Sequence, residues 1–87
     1  MAVLIRHHVA GMDEATYDQV SSQLIPQLKQ QPGFLYHVAF ATPAGLTVSE
    51  IWESRDQHDS WFDENVKPNV PAEMDIEVID VHNVVTP

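Results

Sequence analysis

Residues 34–42 read FLYHVAFAT, a strand pattern that is apolar on both of its faces. Side chains alternate along a strand, so Phe34, Tyr36, Val38 and Phe40 fall on one side and Leu35, Ala39 and Ala41 on the other. A sheet built from such strands needs a cover on each face. Eighty-seven residues make one domain with a single core, and a chain this short buries only about 60% of its unfolded surface. There is no cysteine, so neither a disulfide nor a thiolate-bound metal can supplement that core. Oligomerisation is the remaining supplement, and a second copy of the chain is the simplest cover for the second face.

The other segments say what covers the first face. Residues 2–10, AVLIRHHVA, are β-branched and apolar and stop at Gly11, which predicts a first strand. Asp13 is a candidate helix N-cap with Glu14 in the first turn. Tyr17, Val20, Leu24 and Leu28 then follow at spacings of 3, 4 and 4, the stripe of an amphipathic helix that Pro32-Gly33 ends. Pro26 lies inside it and predicts a kink. The strand at 34–42 and another at 46–53, LTVSEIWE, flank Pro43-Ala44-Gly45 as a hairpin. Ser54 and Gln57 form a capping-box pattern, the Ser54 hydroxyl taking the Gln57 N–H while the Gln57 side chain reaches back. On the helix that follows, His58, Trp61, Phe62 and Asn65 share one face. Pro68 and Pro71 bound a loop, and DIEVIDVHNVV at 75–85 predicts a last strand.

The order is therefore βαββαβ over a single domain, residues 1–87. Right-handed crossovers turn this order into an α+β, ferredoxin-like fold: an antiparallel sheet in the order 4-1-3-2 with both helices on one face. A formal charge of −9 repels phosphate backbones and anionic membranes, so nucleic acid and membrane surfaces are not expected partners. The segment MAVLIRHHV is too short and too polar for a signal or a membrane span, and a reducing cytoplasm is the expected location.

The order, with PGFLYHVAF at 32–40 and EIWES…W at 50–61, resembles the antibiotic-biosynthesis-monooxygenase-like family over nearly the whole chain. The resemblance implies a dimeric α/β barrel in which two ferredoxin-like sheets pack face to face. It implies an activity drawn from cofactor-free oxygenation of polycyclic aromatics, haem degradation, or neither. The haem-degrading pattern asks for an Asn in strand 1, a Trp in helix 2 and a His ten residues further on. Trp61 matches, but strand 1 holds Arg6, His7 and His8 instead of Asn, and position 71 is Pro. An RNA-binding domain of the same order needs a basic, aromatic sheet face, and only four basic residues are present.

Hairpin pairing about Pro43-Ala44 places His37 opposite Glu50, and Leu35 opposite Trp52. A carboxylate fixes a facing imidazole's tautomer and raises its basicity, as a general base requires. In a cofactor-free oxygenase the protein supplies a base, donors for the developing oxyanion and a dry aromatic pocket. His37, Glu50 and His58 are the candidate catalytic residues, and Trp52 and Trp61 the candidate ligand contacts. No cofactor or metal is expected: His7, His8 and His82 lie on neighbouring strands, but His7 and His8 point to opposite faces. The plainer reading of the same residues is a cross-strand polar pair, a half-buried helix histidine and tryptophans packed in a corner. Two functions stay open: a homodimeric cofactor-independent monooxygenase acting on an aromatic or polyketide-like compound, and a non-catalytic dimeric module binding a small hydrophobic metabolite.

Overall fold

The computed structural model describes residues 1–70 and 73–87, and Pro71 lies outside them. Its elements run β1 (Val3–Ala10), α1 (Glu14–Leu28), β2 (Phe34–Thr42), β3 (Gly45–Trp52), α2 (Arg55–Trp61) and β4 (Met74–Asp80). The antiparallel sheet has the order β2-β3-β1-β4, the expected 4-1-3-2 read from its other edge. Burial marks the helix-covered face through alternate residues of β1, since Val3, Ile5, His7 and Val9 are buried while Arg6 and Ala10 are exposed.

The core is Val3, Ile5, Leu28, Trp52 and Trp61, with Leu24, Ile25, Phe34 and Val66 packed against it. Ile5 and Trp52 are fully buried, each worth about 1.5–3 kcal/mol relative to exposure. Asp13 caps α1, its carboxylate accepting the Thr16 N–H at 2.7 Å. The helix continues through Pro26 to Leu28. Its stripe of Tyr17, Val20, Leu24 and Leu28 faces the sheet, but only Leu28 is fully buried, because a cavity lies beneath the rest.

Three local expectations need correction. Phe34, not Leu35, pairs with Trp52, because a bulge at Leu35 interrupts the β2–β3 register between Phe34 and Tyr36. The bulge turns Phe34 inward, edge-on to Trp52 with ring centroids 5.5 Å apart, and leaves Leu35 exposed. From Tyr36 to Thr42 the pairing follows the two-residue Pro43-Ala44 turn, so His37 does face Glu50. Next, the last strand stops at Asp80 rather than 85. Its one partner among the described residues is β1, and after Asp80 pairs with Val3 a bond from the Val81 N–H to the Ala2 carbonyl ends the ladder. Finally, Ser54 caps α2 by accepting the Gln57 N–H at 3.3 Å, but the Gln57 side chain accepts the Ser54 hydroxyl (2.9 Å) instead of reaching the backbone. Gly33 carries a φ of +85°, and a side chain at that position would strike Gln57.

The sheet's other face is open. Tyr36, Val38 and Phe40 of β2 and Ile79 of β4 are exposed there. No helix among the described residues is long and apolar enough to cross a membrane.

Candidate functional site

Between α1, α2 and the sheet lies a cavity of about 80 Å³, lined mostly by apolar side chains of both layers. Its polar groups are His7, Tyr17, Ser21, His37 and Glu50. They reach it because β1, β2 and β3 each send alternate residues to the helix side, and because Tyr17 opens the inward stripe of α1.

Glu50 is the hub. Its Oε2 lies 2.7 Å from His37 Nδ1, and its Oε1 accepts the Trp52 indole N–H at 2.9 Å. Only 5% of Glu50 is exposed, and burial alone raises a carboxyl's pKa. Here the hydrogen bonds from His37 and Trp52, with the attraction of His7 and His37, outweigh that burial and hold Glu50 below its usual value. Glu50 is thus a carboxylate, and His37 Nδ1 carries the proton donated to it. His37 Nε2 is left as an acceptor, and the Tyr17 hydroxyl donates to it at 2.7 Å. The three groups form a proton path from the buried carboxylate to a phenol on the cavity wall. Burial raises the Tyr17 pKa above its ordinary value, and the negative charge of Glu50 adds to this against a Ser21 hydrogen bond.

A second group sits beside the first. His7 Nε2 and His58 Nε2 are 2.9 Å apart, His7 Nδ1 is 3.2 Å from the Val48 carbonyl, and His58 Nδ1 is 2.9 Å from Asp59 Oδ1. Phe62 stacks on both imidazoles. Burial lowers the His7 pKa; Glu50 pulls it back up, and the neighbouring His58 lowers it further. Directly after α2 the chain adds a π-helical turn, Phe62–Val66, closed by the Lys67 N–H on the Phe62 carbonyl at 2.9 Å. That turn carries Phe62 and Val66 to the cavity wall.

Of the five residues singled out from sequence, His37, Glu50 and Trp61 line the cavity. Trp52 lies behind it, fully buried between Phe34 and His58, and reaches the site through its bond to Glu50. His58 is buried one layer back, against His7. Two groups escaped the sequence reading. In sequence Tyr17 is only a core position of a helical stripe, and nothing local ties it to His37. The sequence sets His7 only beside His8 and His82. His8 in fact turns to the open face, bonding Thr47 and Glu77, and His82 lies beyond the end of β4. The predicted strand order already held a usable signal, because it makes β1 and β3 neighbours and puts His7 and Glu50 on one face two positions apart.

No protein-family model matches the chain, and a search of curated proteins returns no match. Solved structures do match. SnoaB of Streptomyces nogalater, described as a cofactor-independent oxygenase, aligns with a TM-score of 0.65 at 10% identity over 99% of this chain and 97% of that one. A conserved protein from Methanosarcina mazei Go1 aligns at 0.70 and 15% identity, over 91% of each chain. Rv0793 from Mycobacterium tuberculosis aligns at 0.65 and 12% identity, over 98% of each. At such identities the likeness speaks for the fold. That fold is the ferredoxin-like βαββαβ architecture expected from the element order, and these structures share it.

Proposed function

We propose that this chain is a small-molecule oxygenase that acts as a homodimer and begins its reaction by taking a proton from a phenolic substrate. The observation that carries this reading is the Tyr17–His37–Glu50 chain, which starts at a buried carboxylate and ends with a hydroxyl on an apolar cavity. The description of SnoaB as a cofactor-independent oxygenase supports the reaction class.

In this reading the Tyr17 oxygen accepts a proton from the substrate hydroxyl as its own proton passes to His37 Nε2. The imidazolium that forms is held by Glu50. The electron-rich substrate anion then reduces O₂ itself. At a benzylic methylene a C–O bond forms to give a hydroperoxide, which loses water and leaves a carbonyl. The sum, R₂CH₂ + O₂ → R₂C=O + H₂O, needs no other oxidant or reductant. The apolar lining favours this by keeping bulk water from the carbanion.

The cavity is smaller than the ~300 Å³ lower range of ligand pockets, so a polycyclic substrate requires α1 to move outward. Leu28 is the one buried residue of α1, against His58 and Trp61 in the shorter α2, so α1 is the more loosely anchored of the two α-helices. Dimerisation is supported by the open face, where Tyr36, Val38 and Phe40 of β2 and Ile79 of β4 are exposed at the two edges with half-buried Ile51 and Leu4 between them. The small apolar cavity also favours a second reading, non-catalytic binding of a small hydrophobic metabolite.

The test is a screen of anthrone-like and hydroquinone-like compounds for oxygen uptake, with chelator present and no added flavin. With a turned-over substrate, His37→Ala loses about 10²–10⁴-fold in rate, and Tyr17→Phe falls between it and the parent. Turnover by His37→Ala at the parent rate refutes the site. Ligand-induced tryptophan fluorescence changes without oxygen uptake favour the binding reading.

A further inference from the structure

His7 and Glu50 sit at the inner wall of the same cavity with His58 buried one layer behind them, and the base chemistry above makes no use of the two histidines. A count of ring protons exposes a mismatch. The run from the Val48 carbonyl through His7 and His58 to the Asp59 carboxylate contains three contacts, of 3.2, 2.9 and 2.9 Å. Both ends of the run are acceptors, so three contacts need three N–H groups, and two neutral imidazoles bring only two. A third ring proton would complete the run, but it would place an imidazolium where only 5% of His7 and 2% of His58 are exposed.

A cation between the rings resolves the count without that proton. Each Nδ1–H then donates outward, His7 to Val48 and His58 to Asp59. Each Nε2 lone pair is freed for the ion. Metal-bound histidines are ordinarily held this way, with the second nitrogen donating to a backbone carbonyl or a carboxylate. A third ligand is at hand, since ligand atoms of His7, His58 and Glu50 all lie within 4.8 Å of one another. Each Glu50 oxygen accepts one hydrogen bond, from His37 or from Trp52, and keeps a lone pair for an ion.

From this arrangement we propose that His7 Nε2, His58 Nε2 and one oxygen of Glu50 form a site for a divalent transition ion of the zinc class. Two imidazoles and a carboxylate are a donor set such ions favour over magnesium or calcium, and they leave a coordination position open. Two of the three ligands, His7 and Glu50, also line the cavity, so the site lies at the cavity wall. Metal–nitrogen bonds of about 2.0–2.1 Å at a tetrahedral angle put the two nitrogens roughly 3.3 Å apart, so the rings part by a few tenths of an ångström on loading. The ion shares Glu50 with His37, and its charge draws electron density from the carboxylate that supports the base.

Untagged protein, stripped with chelator and desalted, is titrated with Co²⁺ and read by visible ligand-field absorption, with Zn²⁺ as competitor. One ion per chain is expected, displaced by Zn²⁺. His58→Gln abolishes the band, and Asp59→Asn, an isosteric change at a half-exposed position, weakens binding about 10–100-fold. His8→Ala, on the opposite face, leaves binding unchanged. The proposal is overturned if no band appears at stoichiometric Co²⁺, or if His58→Gln and Asp59→Asn both bind as the parent does. The titration uses no substrate and the oxygen-uptake screen runs with chelator present, so either reading can fail without the other.

Discussion

Trp52→Phe tests whether the indole N–H is what keeps Glu50 a buried carboxylate. The substitution retains an aromatic ring against Phe34 and His58 but removes the 2.9 Å donor to Glu50 Oε1. A hydrogen bond to a charged group is worth about 1.5–3 kcal/mol. Glu50 keeps its bond to His37, so the lower half of that range applies. Trp52 is fully buried, so losing three ring atoms leaves a void of roughly 40 Å³, or about 1 kcal/mol at ~24 cal/mol per Å³. The sum is about 2.5–3.2 kcal/mol, a large share of the ~5–15 kcal/mol stability of an ordinary domain. Urea melts followed by far-ultraviolet circular dichroism read it, at one fixed protein concentration because association shifts apparent stability. Repeating the substitution in a Glu50→Gln background separates the two parts: the packing loss remains and the charged hydrogen bond does not. A coupling of about 1 kcal/mol or more is expected between neighbours in one network. If Trp52→Phe costs the same in both backgrounds, the indole is only core packing and the account of Glu50's low pKa is wrong.

Three shorter tests follow. Ser54→Ala strands the Gln57 N–H at the start of α2 and costs about 1 kcal/mol in a denaturant melt; superimposed melts would mean Ser54 is not the cap. Asp13 has its pKa lowered by hydrogen bonds from Thr16, so its contribution is present above the unfolded value, ~3.9, and is lost as pH falls through the lower folded value. Asp13→Asn keeps a capping oxygen without the charge, so the drop in melting temperature between pH 5 and pH 3 should shrink, and an unchanged drop refutes the assignment. Sedimentation at micromolar concentration should give about twice the 9.8 kDa chain mass, and Phe40→Lys should shift it towards the single chain; a stable parent monomer refutes the barrel.

Much of the architecture is written in short-range chemistry. Strand and helix periods fix the element order, and with the right-handed crossover rule they fix the sheet order as well. The Asp13 and Ser54 caps are legible because a cap and its N–H are three residues apart. The His37–Glu50 pair is legible for a related reason: a two-residue turn sets the register of everything near it, and this is the sixth pair from the turn, before the bulge at Leu35. What packing decides is different in kind. Whether Phe34 or Leu35 faces Trp52 depends on which ring fills the core, and a bulge supplies the answer. The end of β4 depends on where β1 begins, far away in the chain. Tyr17 meets His37, and His7 meets His58, only because of the height and angle at which each helix crosses the sheet. Those quantities are set by the summed volumes of Leu28, Trp52, Trp61 and their neighbours, and no window of sequence contains them. The sequence alone therefore determined the frame and one polar pair, while tertiary packing decided which further groups that pair would act with.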